Sequence, residues 1–172
     1  MLYIITCPRI EAALLAEISA ASISTPIKDS EARKLPYLQA VIKEGLRVYP
    51  PASILGYREV PSGGETINGF FVPEDTMLGY NFFGMTRDPN LWGEDANLFR
   101  PERWLTGSEE QLRRMAANTE LVFSYGKWQC LGKNLAMMEL NKVFVEVSEF
   151  IQVPSNIGQY ICIYIYLTDS TD

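Results

Sequence analysis

The 172-residue chain contains no histidine. Serine–histidine–aspartate triads, cysteine–histidine nucleophiles, zincins and imidazole-held metal sites are excluded together. Cysteine is scarce: Cys7, Cys130 and Cys162 are odd in number and far apart, which fits neither a disulfide framework nor a zinc ribbon. Positive charge is in the minority, with 15 Lys and Arg against 21 Asp and Glu and a net charge of −6. An acidic chain is not drawn to phosphate backbones, so no nucleic-acid partner is expected. No apolar run approaches the roughly 20 residues of a membrane span, and no membrane anchor is read in this chain. The apolar start Met1–Ile5 is too short for a signal peptide and lacks a basic leader. The run Ile161–Leu167 is also too short to span and reads as a strand, or as a sticky tail if nothing covers it.

What is present is a globular composition, 47% hydrophobic, with enough length for one domain and its core. No internal repeat and no dividing linker is visible. Pro8 opens a helix expected over 9–20, with Leu14, Leu15 and Ile18 on its apolar side. Residues 22–30 read as a polar connection. Leu38, Val41, Ile42 and Leu46 keep helical spacing over 36–48, and Pro50-Pro51 ends that helix. Turn signals at 61–64 and 67–69 mark a small β region from about 54 to 83, with strands expected at 70–72 and 77–83. Residues 87–105 show no sustained period and read as an ordered meander. A charged helix is expected over 108–117, capped by Ser108. A longer one is expected over 130–149, with Leu135, Met138, Val143 and Phe144 buried. The fold class is therefore mainly α with a small β region.

Three signals carry chemistry. In Phe123-Ser-Tyr-Gly126-Lys-Trp128-Gln-Cys130-Leu-Gly132, a cysteine stands where a helix is expected to begin. The helix dipole and free N–H groups there favour thiolate. Gly126 and Gly132 would let backbone approach a flat ligand, and Phe123 would shield the sulfur. The loop alone reads equally well as a buried cysteine among aromatics. Glu44 and Arg47, at i and i+3 of one helix, can pair. In Phe99-Arg-Pro-Glu-Arg103-Trp104, Arg103 could bring a second guanidinium to Glu44.

In this order the three resemble the C-terminal signature of the cytochrome P450 family, closest to its fungal pisatin-demethylase-like branch. Residues 35–51 resemble the K helix, and Arg87-Asp-Pro-Asn-Leu-Trp92 resembles a further family stretch. The resemblance implies the C-terminal portion of the P450 fold. It implies haem held through Cys130 as axial iron ligand, with Phe123, Gly126, Trp128 and Gly132 around it. Glu44, Arg47 and Arg103 become a structural triad. It also implies insertion of one oxygen atom of dioxygen into a small apolar substrate, within fungal secondary metabolism. Electrons would come from NADPH through a cytochrome P450 reductase, and the family usually sits on the endoplasmic reticulum membrane. Thiolate ligation pushes electron density toward the iron.

Some features depart from the family pattern. Position 128 usually carries Arg or His toward a haem propionate; here it is Trp128, and Lys127 or Arg58 could compensate. Met1–Thr6 resembles the end of the I helix, so the chain is expected to be a fragment, inactive alone, with only Ala52–Gly56 facing substrate. The expected domain is 1–147. Residues 148–172 diverge and read as a translated intron, since Val147-Ser148 can be encoded by GTGAGT, a splice-donor sequence. Other genomic codons there would sink that reading. A haem-binding module without catalysis and a fragment docking on a reductase or paralogue are the alternatives. Cys7 and Cys162 have no companion ligands.

Overall fold

The computed structural model describes residues 2–51 and 57–150, positions 149 and 150 by backbone only. Ala52–Gly56, the expected strand at 161–167 and Cys162 lie outside the described residues. In chain order the elements are α1 (Leu2–Ile5), α2 (Pro8–Ala20), α3 (Asp29–Ala32), α4 (Pro36–Val48), β1 (Arg58–Glu59), β2 (Glu65–Ile67), β3 (Phe70–Val72), β4 (Met77–Leu78), α5 (Phe82–Met85), α6 (Pro89–Trp92), α7 (Arg103–Thr106), α8 (Glu109–Glu120) and α9 (Lys133–Phe150). Short 3-10 turns occupy Leu121–Phe123 and Gly126–Trp128. The architecture is mainly helical with small antiparallel sheets, the fold class expected from the sequence.

The chain forms two compact units that alternate along the sequence. Among the described residues, the first comprises those within 1–44, 99–107 and 131–150; the second comprises those within 45–98 and 108–130. Because each is assembled from separated segments, no linker composition marks the division.

In the first unit, Ile10, Leu14 and Ile18 recur at helical spacing along α2 and are buried. On the first part of α4, Leu38, Val41 and Ile42 are buried too. Glu17 of α2 accepts the backbone N–H groups of Tyr37 and Leu38 at 2.7 and 2.9 Å, satisfying two donors that the start of α4 leaves without helical partners. Helix α9 packs on α3 and α2. Its fully buried Asn141 donates to Asp29 Oδ1 at 2.7 Å and accepts from Gln39 Nε2 at 2.9 Å. Glu146 accepts from the Ile27 backbone at 2.6 Å.

In the second unit, β2 and β3 form a hairpin with Ile67 opposite Phe70. Both turn residues, Asn68 and Gly69, have positive φ (50° and 84°), the turn that suits the twist of paired strands. Strand β1 pairs with β4, Arg58 opposite Leu78.

The structure corrects several sequence expectations. Helix α9 starts at Lys133 rather than 130, because residues 131 and 132 turn and Gly132 accepts the first helical bond, from Ala136 at 2.9 Å. Its buried residues are Asn141, Val145 and Ser148; Leu135, Met138 and Val143 are exposed and Phe144 is half-buried. At about 100° per residue, Val143 stands about 200° round the helix from Asn141, away from the face that meets α3. Helix α8 runs three residues beyond 117, to Glu120, with Ser108 accepting from the Gln111 N–H at 3.2 Å. The strand expected at 77–83 stops at Leu78. Asn81 caps α5 instead, accepting from Gly84 N at 3.0 Å. The polar connection at 22–30 runs into α3, and the meander holds α6 and α7.

Candidate functional site

The first unit contains a buried carboxylate, that of Glu44 on α4. Its Oε1 accepts from the Arg100 backbone N–H at 2.8 Å and from Arg103 Nε at 3.0 Å. Its Oε2 accepts from the Trp104 indole N–H at 2.9 Å. Glu44 is wholly buried and Arg103 nearly so. A charge taken from water at such a place is tolerated only with opposite charge and donors around it, and the turn 100–104 supplies both. Lys43 Nζ lies 5.5 Å from the centre of the Trp104 ring.

Glu102, on the same turn, pairs with Arg9 of α2 and accepts from the Tyr37 hydroxyl at 3.0 Å. Burial opposes the Glu102 charge, but the bonds from Arg9 and Tyr37 prevail and hold its carboxyl below the usual range. Burial, and then the bond to Glu102, pushes the Tyr37 phenol up to about 12.

Arg47, three residues along α4 from Glu44, belongs to the second unit. Its guanidinium donates to the carbonyls of Thr86 (2.8 Å), Ala96 (2.6 Å) and Leu98 (2.9 Å), and lies 5.0 Å from the centre of the Trp92 ring. The planar fork of arginine suits this convergence of carbonyls. Arg87 Nη2 donates to Val48 O at 2.6 Å, and the Trp92 indole to Met85 O at 2.9 Å. The meander is thus held largely by side-chain donors meeting backbone acceptors. Of the residues singled out in the sequence, Glu44 and Arg103 are joined in one unit, and Arg47 binds the meander in the other.

The cysteine loop lies in the second unit up to Cys130. Phe123 is buried and Cys130 is a free, exposed thiol. The Cys130 N–H donates back to Phe123 O at 2.7 Å, closing the loop. Cys130 therefore stands three residues ahead of α9 and not on its first residue, which corrects the expected helix-terminal cysteine. Ser124 and Gly126 have φ of +60° and +63°, and a Cβ built at Gly126 meets nothing within 4 Å. Arg58 of β1 donates to Ser124 Oγ at 2.8 Å and to Tyr57 O at 2.8 Å. It stands 5.6 Å from the centre of the exposed Trp128 ring, and Lys127 Nζ stands 5.1 Å from it. Gly132 opens α9, in the first unit.

Sequence reasoning did not find the Trp104 donor, the Arg9–Glu102–Tyr37 cluster or the Ser124 anchor. A tryptophan directly after the paired Arg103 was the available signal for the first. The other two join residues 65 or more positions apart and left no local pattern.

Among the described residues no three Cys, Asp or Glu side chains gather to hold a metal. A metal at this loop would take one sulfur from the protein and its other ligands from a prosthetic group. The exposed sulfur, the closed loop that carries it and the open space at Gly126 fit a flat metal macrocycle.

The sequence profile of the cytochrome P450 family matches residues 1–149. Cytochrome P450 monooxygenase ABA1 of Pyricularia oryzae is 52% identical over 121 residues, 70% of this chain and 24% of that protein. The aba1 monooxygenase of Botryotinia fuckeliana is 42% identical over 151 residues, 86% of this chain and 30% of its own. Pisatin demethylase of Fusarium vanettenii is 35% identical over 156 residues, 91% and 30% respectively. The chain belongs to the cytochrome P450 family. It spans between 24% and 30% of the length of these relatives.

Proposed function

We propose that residues 123–132 form the proximal side of a haem-thiolate site, with Cys130 as the axial iron ligand. Phe123 would shield the sulfur, and Gly126 and Gly132 would let the backbone approach the ring. The observation that carries this reading is the exposed Cys130 thiol on a loop closed by the Cys130 N–H···O=C Phe123 bond, beside open space at Gly126. Bound there, haem would supply the activation of dioxygen for a monooxygenase acting on a small apolar substrate, within fungal secondary metabolism, with electrons from NADPH by way of a reductase. Glu44, Arg47 and Arg103 take no part in the reaction; they hold the meander and the turn 100–104. This reading takes 1–147 as the family domain and 148–172 as a divergent tail. Expressed as these 172 residues alone, the chain is proposed to have no turnover, because they carry one face of the haem site.

A reduced, carbon-monoxide difference spectrum on the purified chain supplied with haem tests the proposal. A thiolate-type Soret band that is lost in Cys130→Ala is the expected result. Haem that binds equally well to both proteins would overturn it.

A further inference from the structure

The chain holds a single Asn-Gly step, Asn68-Gly69, and the fold puts it at the tip of the β2–β3 hairpin in the second unit. Both residues are exposed. Among the described residues neither the Asn68 carboxamide nor the Gly69 N–H takes part in a hydrogen bond. A Cβ built on Gly69 would meet nothing within 4 Å, so the space around it is open. Other asparagines are engaged. Asn141 is buried, donates to Asp29 and accepts from Gln39. Asn81 accepts from Gly84 N, and Asn90 and Asn118 donate through their amides. None of these four is followed by glycine. At Asn68 a free carboxamide, an unbonded following N–H and a following residue without a side chain coincide.

We propose that Asn68 is a self-modifying site, at which the Gly69 nitrogen turns the side-chain amide into a carboxylate. The Gly69 nitrogen, deprotonated by hydroxide, attacks Asn68 Cγ. The new C–N bond closes a succinimide, the Cγ–Nδ2 bond breaks, and the amide nitrogen leaves as ammonia. Glycine serves here because a side chain on the attacking residue would crowd the ring closure. Water then opens the ring. Addition at the side-chain carbonyl gives aspartate; addition at the backbone carbonyl gives isoaspartate, whose chain runs through Cβ and Cγ. One water enters and one ammonia leaves, and nothing is oxidised. Isoaspartate lengthens the turn by a methylene group. Ile67 then no longer stands opposite Phe70 across a two-residue turn, so the reaction unmakes the register from which it starts. Nothing in this depends on Cys130 or on haem.

The test incubates the 172-residue chain, folded, at neutral and mildly alkaline pH, with a urea-unfolded sample as reference. Digested peptides are read by mass and by isoaspartate-specific methyl transfer. The expected result is an amide-to-acid mass change at Asn68 in the folded chain, with isoaspartate in the product. Its rate should rise about tenfold per pH unit, as for a step that needs a group deprotonated far below its pKa. Gly69→Ala is expected to slow the reaction several-fold. The same comparison in urea keeps that result readable even if the variant folds poorly. Asn68→Asp, which carries the charge without the longer backbone, should keep the slow hydrogen exchange of the hairpin amides that isoaspartate loses. An Asn68 that stays intact in the folded chain overturns the proposal, whatever the unfolded chain does. Acid without isoaspartate overturns it too, because direct hydrolysis needs no succinimide.

Discussion

The indole N–H of Trp104 lies 2.9 Å from Glu44 Oε2, on a carboxylate that is wholly buried and whose other oxygen already accepts from Arg103. The two residues are 60 positions apart in sequence, and their bond fastens the turn 100–104 to α4. Trp104→Phe keeps most of the ring and removes the donor. It is expected to cost about 1–3 kcal/mol in urea unfolding. Glu44→Ala also leaves the buried Arg103 charge without its carboxylate, and should cost about 3–5 kcal/mol. A phenylalanine variant as stable as the parent would show that the indole bond contributes nothing net.

Arg47→Lys preserves charge but not geometry. An ammonium group on a flexible stem cannot reach Thr86, Ala96 and Leu98 carbonyls with the planar spread of a guanidinium. Two of these bonds should be lost, at a cost of about 2 kcal/mol or more. Thermal unfolding would read this as a lower midpoint. An unchanged midpoint would mean that the three carbonyls find other donors.

Glu31 makes the first unit sensitive to acid. Its carboxylate accepts from the Ser24 N–H, the Ser24 hydroxyl and the Lys28 N–H, and these bonds hold its pKa down from 4.5 to about 2. A depressed folded pKa contributes stability above pH 4.5 that is lost as pH falls from there toward 2. Glu31→Gln should be less stable than the parent at neutral pH, and the difference should shrink across that window. A difference that stays constant down to pH 2 would refute the assignment.

At Gly126 the expected costs separate. A methyl group there touches nothing within 4 Å, so Gly126→Ala carries only the conformational penalty of φ +63°, about 1 kcal/mol. If haem occupies the open space, the same methyl group meets the ligand. The stabilisation that haem gives should then be smaller in the variant than in the parent. Equal stabilisation would place the ligand elsewhere.

Much of this was legible locally. Helix α4 follows from Pro36 at its first position, apolar residues at helical spacing and Pro50-Pro51 after its end. Asn68-Gly69 announces the hairpin. The order of Glu44, Arg103 and Cys130 points to the family before any coordinate is known. The start of α9 was not legible, because Cys130-Leu-Gly132 contains nothing that forbids a helix. The helical bonds begin only with Ala136 N–H to Gly132 O, after the Cys130 N–H has turned back to Phe123 O, seven residues earlier. The buried face of α9 was not legible either. Hydrophobicity nominated Leu135 and Val143, but burial on this helix is set by its partners α3 and α2, which meet a polar residue, Asn141. Trp104 was passed over for a similar reason: an aromatic ring reads as packing until its acceptor is located.

The alternation of the two units along the sequence has a consequence for synthesis. The Ile27 amide has its acceptor in Glu146, 119 residues later, and Asp29 has its donor in Asn141, 112 residues later. The second unit ends at Cys130, before α9 begins. On a ribosome adding about 5–20 residues per second, α2 and α3 therefore emerge several seconds before the helix they pack against. During that interval the part of α2 that α9 packs against has no α9 to meet and is open to chaperones and proteases. The second unit, whose residues are all made by then, is free to condense first.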